Sequence, residues 1–482
     1  MRPGTPRSRR AIERLEAAGL AERRALERET ETAVLPVRRP RRRGLRAWLS
    51  GRLGPHLALA LSTADQALVS ATSLGVALLF VRGAAKEEYG IYTLVNGLVL
   101  LGGGVQAALI TTPLTANASR LAGVERARFL VAVGRLQRRL AGASALLLGG
   151  GITAWELATS RGARAALLLG GAASVAVLGC FAREFQRTNQ FLDERPGRAL
   201  LSDGVFASLA ALGLAAIWRT TGTLNAPGVL ALIGLAALAP SILFAAASSP
   251  AVDASDVSDD RPIRALLRSQ GRWTLPGMAV TWGQNAGYAY VVGGVAGAAA
   301  VADVAAARLF IMPINLVVTA WQRIFLPRAG AALSSDRDGA TVVLERAQRS
   351  AVGLGACAIA YLGGVAIVLS LPAVHLPARY GGLRPLVAAW GAFVIANTVR
   401  SVASSALLAH AAFRAVFVAS VVGAALSLAA MAALVPAHGA LGAVYGMLLG
   451  ELTLAGITWK LLATRRAESP AGARDRVQKF QS

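Results

Sequence analysis

The sequence predicts an all-α polytopic membrane protein: twelve transmembrane helices in two six-helix lobes, related by a pseudo-two-fold axis along the membrane normal. Three observations predict it. Of 482 residues, 55% are apolar and 16% charged, whereas a soluble globular chain carries about 25% charged residues. Apolar stretches of about 20 residues, the length a helix needs to cross hydrocarbon, recur from residue 57 to residue 463. The pattern of the first two stretches also returns 212 to 214 residues later, from a short turn to a closing proline, Pro113 in one copy and Pro327 in the other.

Residues 1–56 hold 15 Arg and 6 Glu, a net +9 of the chain's +24. Within them, residues 8–31 read as a polar helix with a thin apolar side of Ile12, Leu15 and Leu26, followed by Arg41, Arg42 and Arg43. This tail is expected to rest on anionic membrane lipids, at about 1 kcal/mol per basic residue near the surface; nucleic acid is not an expected partner. The first apolar stretch is too long and too far from Met1 for a cleavable signal peptide.

The expected spans are 57–81, 89–114, 140–159, 163–182, 199–217 and 228–247 in an N-terminal lobe of residues 57–247. A linker, 248–272, carries Asp253, Asp256, Asp259 and Asp260. The C-terminal lobe, 273–463, holds spans 273–295, 299–326, 350–371, 385–410, 413–435 and 439–463, and a basic tail covers 464–482. The runs are too long for ~10-residue barrel strands and show no alternation. Orientation follows from Lys and Arg, which are retained on the cytoplasmic side. With both termini cytoplasmic, the inner connections hold 18 basic residues, including the set from Arg183 to Arg198, and the outer connections hold 6. Arg supplies 47 of the 50 basic residues, beside abundant Ala and Gly, a bias of GC-rich bacterial genomes; the expected location is the bacterial cytoplasmic membrane.

Several chemistries lack their residues. No GxxxxGK[ST] phosphate loop occurs, and the triplets Gly102–Gly104 and Gly149–Gly151 have no following Lys. His56, His375, His410 and His438 are scattered, and the two cysteines, Cys180 and Cys357, lie far apart in apolar runs. No metal site, redox site or cofactor is therefore expected. Outer connections are too short for a glycosyltransferase domain. The expected function is transport, driven by an ion gradient or the membrane potential.

Polar residues inside spans point to the cavity, because an ionisable group in hydrocarbon costs at least ~2.5 kcal/mol on insertion scales. The candidates are Asp65 and Gln66 in the first span, Asn96 and Gln106 in the second, Gln284 and Asn285 in the seventh, and Asn397 and Arg400 in the tenth. In the eighth, Arg308, Asn315, Thr319 and Gln322 fall at i, i+7, i+11 and i+14, one face of a continuous helix. Under a 212-residue shift Asn96 coincides with Arg308, and Gly102, Gly103 and Gly104 fall near Pro313. Glycine and proline both weaken a helix, so these four are hinge candidates. The competing reading for Arg308 and Arg400 is a buried ion pair with Asp303, Asp65 or Glu451 that only holds the bundle together. Asp203 and Glu156 sit near span ends, where snorkelling or capping accounts for them.

The run Thr63, Ala64, Asp65, Gln66, Ala67, Leu68, Val69, Ser70, then Phe80, Val81, Arg82, Gly83, then Glu88, Tyr89, Gly90, Ile91, Tyr92, and finally Pro113, resembles polysaccharide-export flippases. These are the O-antigen, capsular and teichoic-acid type of the multidrug/oligosaccharidyl-lipid/polysaccharide exporter superfamily. The resemblance implies two lobes that open alternately and carry a lipid-linked saccharide from the cytoplasmic to the outer leaflet, with glycosyltransferases and a polymerase as partners in the pathway. Peptidoglycan-precursor flippases of that superfamily tend to place Arg beside the first-helix acid; here Gln66 follows Asp65. A drug exporter of the same superfamily and a non-transport membrane scaffold are the alternatives. A diphosphate cargo would need a cationic cavity, since Arg offers forked donors to phosphate oxygens. A cationic drug would need an acidic and aromatic one.

Overall fold

The computed structural model describes residues 45–118, 121, 123–159, 162–244, 261–335, 339–371 and 378–468. The polar helix expected at 8–31, Arg41 to Arg43, the acidic linker residues and most of the C-terminal tail lie outside them. Almost everything described is helical: α1 (Leu45–Gly83), α2 (Lys86–Ala118), α3 (Gly123–Ala158), α4 (Ala163–Leu192), α5 (Pro196–Thr221), α6 (Ala226–Leu243), α7 (Arg261–Leu309), α8 (Met312–Ser335), α9 (Gly339–Ser370), α10 (Leu383–Ala409) and α11 (Phe413–Glu468). Residues through Leu59 form a unit of their own, and the chain from Ala60 onward forms a second.

Among the described residues, ten helices are long and apolar enough to cross a membrane. Two of them do not make a single crossing. Phe413–Arg465 has 53 residues, which at 1.5 Å each would reach about 80 Å, far beyond the ~30 Å of hydrocarbon. The chain reverses instead at Gly439 (φ 54°) and, in α7, at Gly297 (φ 81°). Both positive angles are ones that glycine adopts freely and other residues resist. Arg308 Nη1 lies 2.7 Å from the carbonyl of Asn285, 23 residues away and symmetric about Gly297, so the two arms of α7 form an antiparallel hairpin. Gly423 meets Leu454 and Gly446 meets Met431 across Gly439 in the same way. The second arm of α7 continues into α8 as the eighth span. Counting each arm gives twelve crossings.

The halves repeat their packing. In the first, α3 and α4 approach at Gly149 and Gly170, and α4 meets α6 at Gly179 and Gly234; a Cβ on Gly179 would run into the Gly234 carbonyl. In the second, α9 meets α10 at Leu362 and Gly391, and Trp459 of the last arm donates to the Val399 carbonyl of α10 at 3.2 Å. Between the halves, α2 lies against the first arm of α7 over most of its length. Tyr290 donates to the Leu94 carbonyl (2.8 Å), Trp282 to Gly97 (2.9 Å) and Thr274 to Ala108 (3.0 Å). The distal face is the one that carries the turns between α1 and α2 and between α9 and α10.

Two helix irregularities sit beside prolines. In α2 a π-turn spans Ala107–Thr111, just before Pro113, which has no N–H for the Leu109 carbonyl. Between α7 and α8 the helix opens at Phe310 and Ile311, just before Pro313, and Tyr361 donates to the freed Phe310 carbonyl at 2.9 Å. The glycine triplet does not break its helix. Regular α-helix runs through Gly102, Gly103 and Gly104; Gly102 packs against Phe181 and Gly104 against Met278.

Candidate functional site

The polar residues of the spans fall into three groups. In the N-terminal lobe, Arg183 and Arg187, one turn apart on α4, face carboxylates from two other helices. Arg187 donates to one oxygen of Asp65 through Nε (3.0 Å) and Nη2 (2.7 Å), and to Gln66 Oε1 (3.3 Å). Its Nε also lies 3.2 Å from Asp203 on α5, and Arg183 Nε lies 2.8 Å from Asp203. Asp65 is 0% and Asp203 1% exposed. Two acids thus balance two arginines in the interior of the lobe, as buried charges require. One oxygen of Asp65 and one of Asp203 remain without a hydrogen bond.

This cluster departs from the sequence reading in two ways. Arg183 and Arg187 were expected in a connection, because hydropathy falls at residue 182; the helix runs on to Leu192, since its charges are neutralised inside the lobe. Asp203 was expected at a span end and is instead buried and paired. An arginine does stand beside Asp65, supplied by α4 rather than by position 66. Gln106 also belongs to this lobe's interior, donating to the Phe181 carbonyl at 2.8 Å.

The second group lies within the C-terminal lobe. Arg400 pairs with Glu451 and donates to Asn397 Oδ1 at 2.7 Å, and Asn397 reaches Asn315 of α8 at 3.5 Å. Gln322 of α8 donates to Ser405 of α10 at 3.2 Å, and Gln284 to the Ser420 carbonyl at 3.0 Å. From Asn315 to Gln322 the expected face of the eighth span therefore looks onto α10. Arg308, on the other side of the opening before Pro313, also meets α10, at Trp390. For Arg400, the ion-pair reading describes the contact.

Arg308 forms the third group. Its guanidinium lies 5.5 Å from the ring of Tyr288 and 5.4 Å from that of Trp390, distances at which an aromatic face attracts a cation. Nη1 donates to the Asn285 carbonyl and reaches the Tyr288 hydroxyl at 3.5 Å. Trp390, fully buried, is fixed by its own bond to the Val304 carbonyl at 3.1 Å. No carboxylate lies within ion-pair distance of Arg308 among the described residues. The sequence flagged Arg308 but not Tyr288 or Trp390, whose ring contacts have no spacing signature.

The remaining candidate, Asn96, is half-buried on α2. A groove of about 460 Å³ between the arms of α11, lined in part by Arg414, Val418, Leu461 and Arg465, shares no residue with the three groups. No cluster of three or more His, Cys, Asp or Glu suited to a metal ion occurs among the described residues.

No protein-family model and no curated protein sequence matches the chain. Solved structures do. An inward-facing multidrug resistance MATE family transporter of the MOP superfamily aligns with 82% of this chain and 94% of its own, at TM-score 0.61 and 16% identity. The lipid II flippase MurJ in an inward closed conformation aligns over 83% and 86%, at TM-score 0.62 and 14% identity. A MOP superfamily transporter from Pyrococcus furiosus, described by the reversed polarity of its binding pocket, aligns over 85% and 94%, at TM-score 0.53 and 13% identity. These structures are named as membrane transporters and a flippase, and this chain shares their fold, with the twelve helical crossings in two halves described above.

Proposed function

We propose that the protein is an exporter that carries a lipid-linked oligosaccharide or polysaccharide precursor across the bacterial cytoplasmic membrane by alternating access of its two lobes. The fold is shared by proteins named for multidrug resistance and by one named for lipid II, so charge must distinguish the cargo. The observation that carries the reading is Arg308, a half-buried cation held by two aromatic rings and a carbonyl with no acid to neutralise it. A guanidinium uses few of its five donors in such a setting, and the rest suit the oxygens of a diphosphate. The intramembrane acids Asp65, Asp203 and Glu451 are each paired with arginine. That leaves none of these three open to a cationic drug. Asp65, with one oxygen unbonded, is the coupling group we propose.

The test is export by Arg308 variants, measured as surface saccharide per molecule of correctly inserted protein. Arg308→Lys keeps the charge and loses the fork, so it retains part of the export. Arg308→Ala loses at least about tenfold, the equivalent of ~1.4 kcal/mol, while still inserting. Normal export per molecule in the Ala variant would remove Arg308 from the site.

A further inference from the structure

At the distal face the turn between α1 and α2 is gripped by the other half of the molecule. Lys86, the first residue of α2, places Nζ 2.7 and 2.9 Å from the two carboxylate oxygens of Asp303 on the second arm of α7. Between α9 and α10, the short turn Ala378–Tyr380 presents Arg379, which donates to the carbonyls of Val81 (2.9 Å) and Arg82. A helix leaves its last four carbonyls without intrahelical partners, and those of α1 can all be accounted for. Phe80 accepts from Ala84 N and Gly83 from Leu224 N, both within the first half. Val81 and Arg82 are capped from the second half.

Tyr380 fills the space between. It is 1% exposed, and the Lys86 ammonium lies 5.2 Å from its ring. Its hydroxyl has no hydrogen-bond partner, and burial pushes its phenol up to about 12, against the opposing pull of Arg379. The ring is therefore a neutral wedge. The contacts holding it are of a reversible kind. Lys86 and Asp303 are 24% and 26% exposed, so water screens the pair and replaces it readily. The two carbonyls can likewise exchange Arg379 for water. By contrast, the hydrogen bonds between α2 and α7 join helices along their length and offer no such release.

We propose that Lys86, Asp303 and the Arg379–Tyr380 turn form a latch that shuts the distal face, and that cargo leaves only after the latch opens. The role in cargo release rests on the export reading above; the latch itself has a readout that does not. In a background with Cys180 and Cys357 replaced by Ala, Lys86→Cys and Asp303→Cys are bridged by a short, reducible bifunctional thiol reagent, with bridging verified by mass. Export is expected to fall at least about tenfold in the bridged protein and to return on reduction. Undiminished export through a bridged protein would overturn the proposal.

The second measurement is hydrogen exchange on the purified protein in lipid nanodiscs. Arg379→Ala is expected to speed exchange at residues 81–86 and 378–384 by about tenfold, as a locally opened segment does. The Lys86→Asp change should do the same, with recovery when Asp303→Lys is added. Exchange unaltered by Arg379→Ala, or no recovery in the swapped pair, would overturn the latch whether or not the cargo is a saccharide.

Discussion

Replacing Arg187 by Gln should destabilise the protein through one stranded charge. Arg187 supplies both hydrogen bonds that Asp65 accepts in the cluster, and Asp65 is 0% exposed. Removing one partner of a buried pair costs about 3–5 kcal/mol, because the survivor stays charged in a low-dielectric site. Arg187 itself is 20% exposed, so water reaches one end of the pair and the lower figure, about 3 kcal/mol, is the better expectation. At ~1.4 kcal/mol per tenfold, that is about a hundredfold in the folded-to-unfolded ratio. Asp203 retains Arg183, so the loss centres on Asp65. Adding Asp65→Asn to Arg187→Gln should then restore most of the stability, although the double variant has fewer polar contacts than the single. The assay is the fraction of monodisperse protein surviving graded heating in detergent, for the two single variants and the double. A double variant no more stable than Arg187→Gln alone would show that the cost does not come from an unpaired carboxylate.

Two further outcomes test the topology and the packing. In a cysteine-free background, a cysteine at Thr221 should react with an impermeant thiol reagent added outside intact cells, and one at Ser335 should not; reversed labelling would invert the assigned orientation. Gly179→Ala should lower stability by about 1–3 kcal/mol, the usual cost of overpacking, because its Cβ meets the Gly234 carbonyl. Gly150→Ala, facing open space, should be neutral or slightly stabilising through helix propensity. Equal effects at both glycines would contradict the close α4–α6 contact.

The spans and the two-half plan were legible because apolar runs of membrane length leave few other structures. The site was less so, for identifiable reasons. Hydropathy cut the fourth span at residue 182, yet α4 continues because Arg187 finds Asp65 122 positions away in the chain. No local window can register that partner. The glycine triplet suggested a hinge, but glycine is also what close contact with Phe181 and Met278 requires, and the same letters serve both ends. Two prolines do accompany irregular turns: a π-turn contains Leu109, four residues before Pro113, and the helix opens at Phe310 and Ile311, just before Pro313. The periodicity that placed Arg308 on one face with Asn315 and Gln322 assumed an unbroken helix. The helix opens before Pro313, yet Arg308, Asn315 and Gln322 all meet α10, at Trp390, Asn397 and Ser405, and Arg308 has no carboxylate within ion-pair distance among the described residues.

In the proposed function an anionic, lipid-linked saccharide is the cargo and Arg308 receives its charge. The most direct measurement is equilibrium binding to the purified protein in nanodiscs, comparing a polyprenyl-diphosphate saccharide with a cationic amphiphilic dye. The wild-type protein is expected to bind the diphosphate saccharide, Arg308→Ala to bind it at least about tenfold more weakly, and neither to bind the dye specifically. Saturable dye binding with none for the diphosphate, or diphosphate binding unchanged in Arg308→Ala, would rule out an anionic cargo held by Arg308.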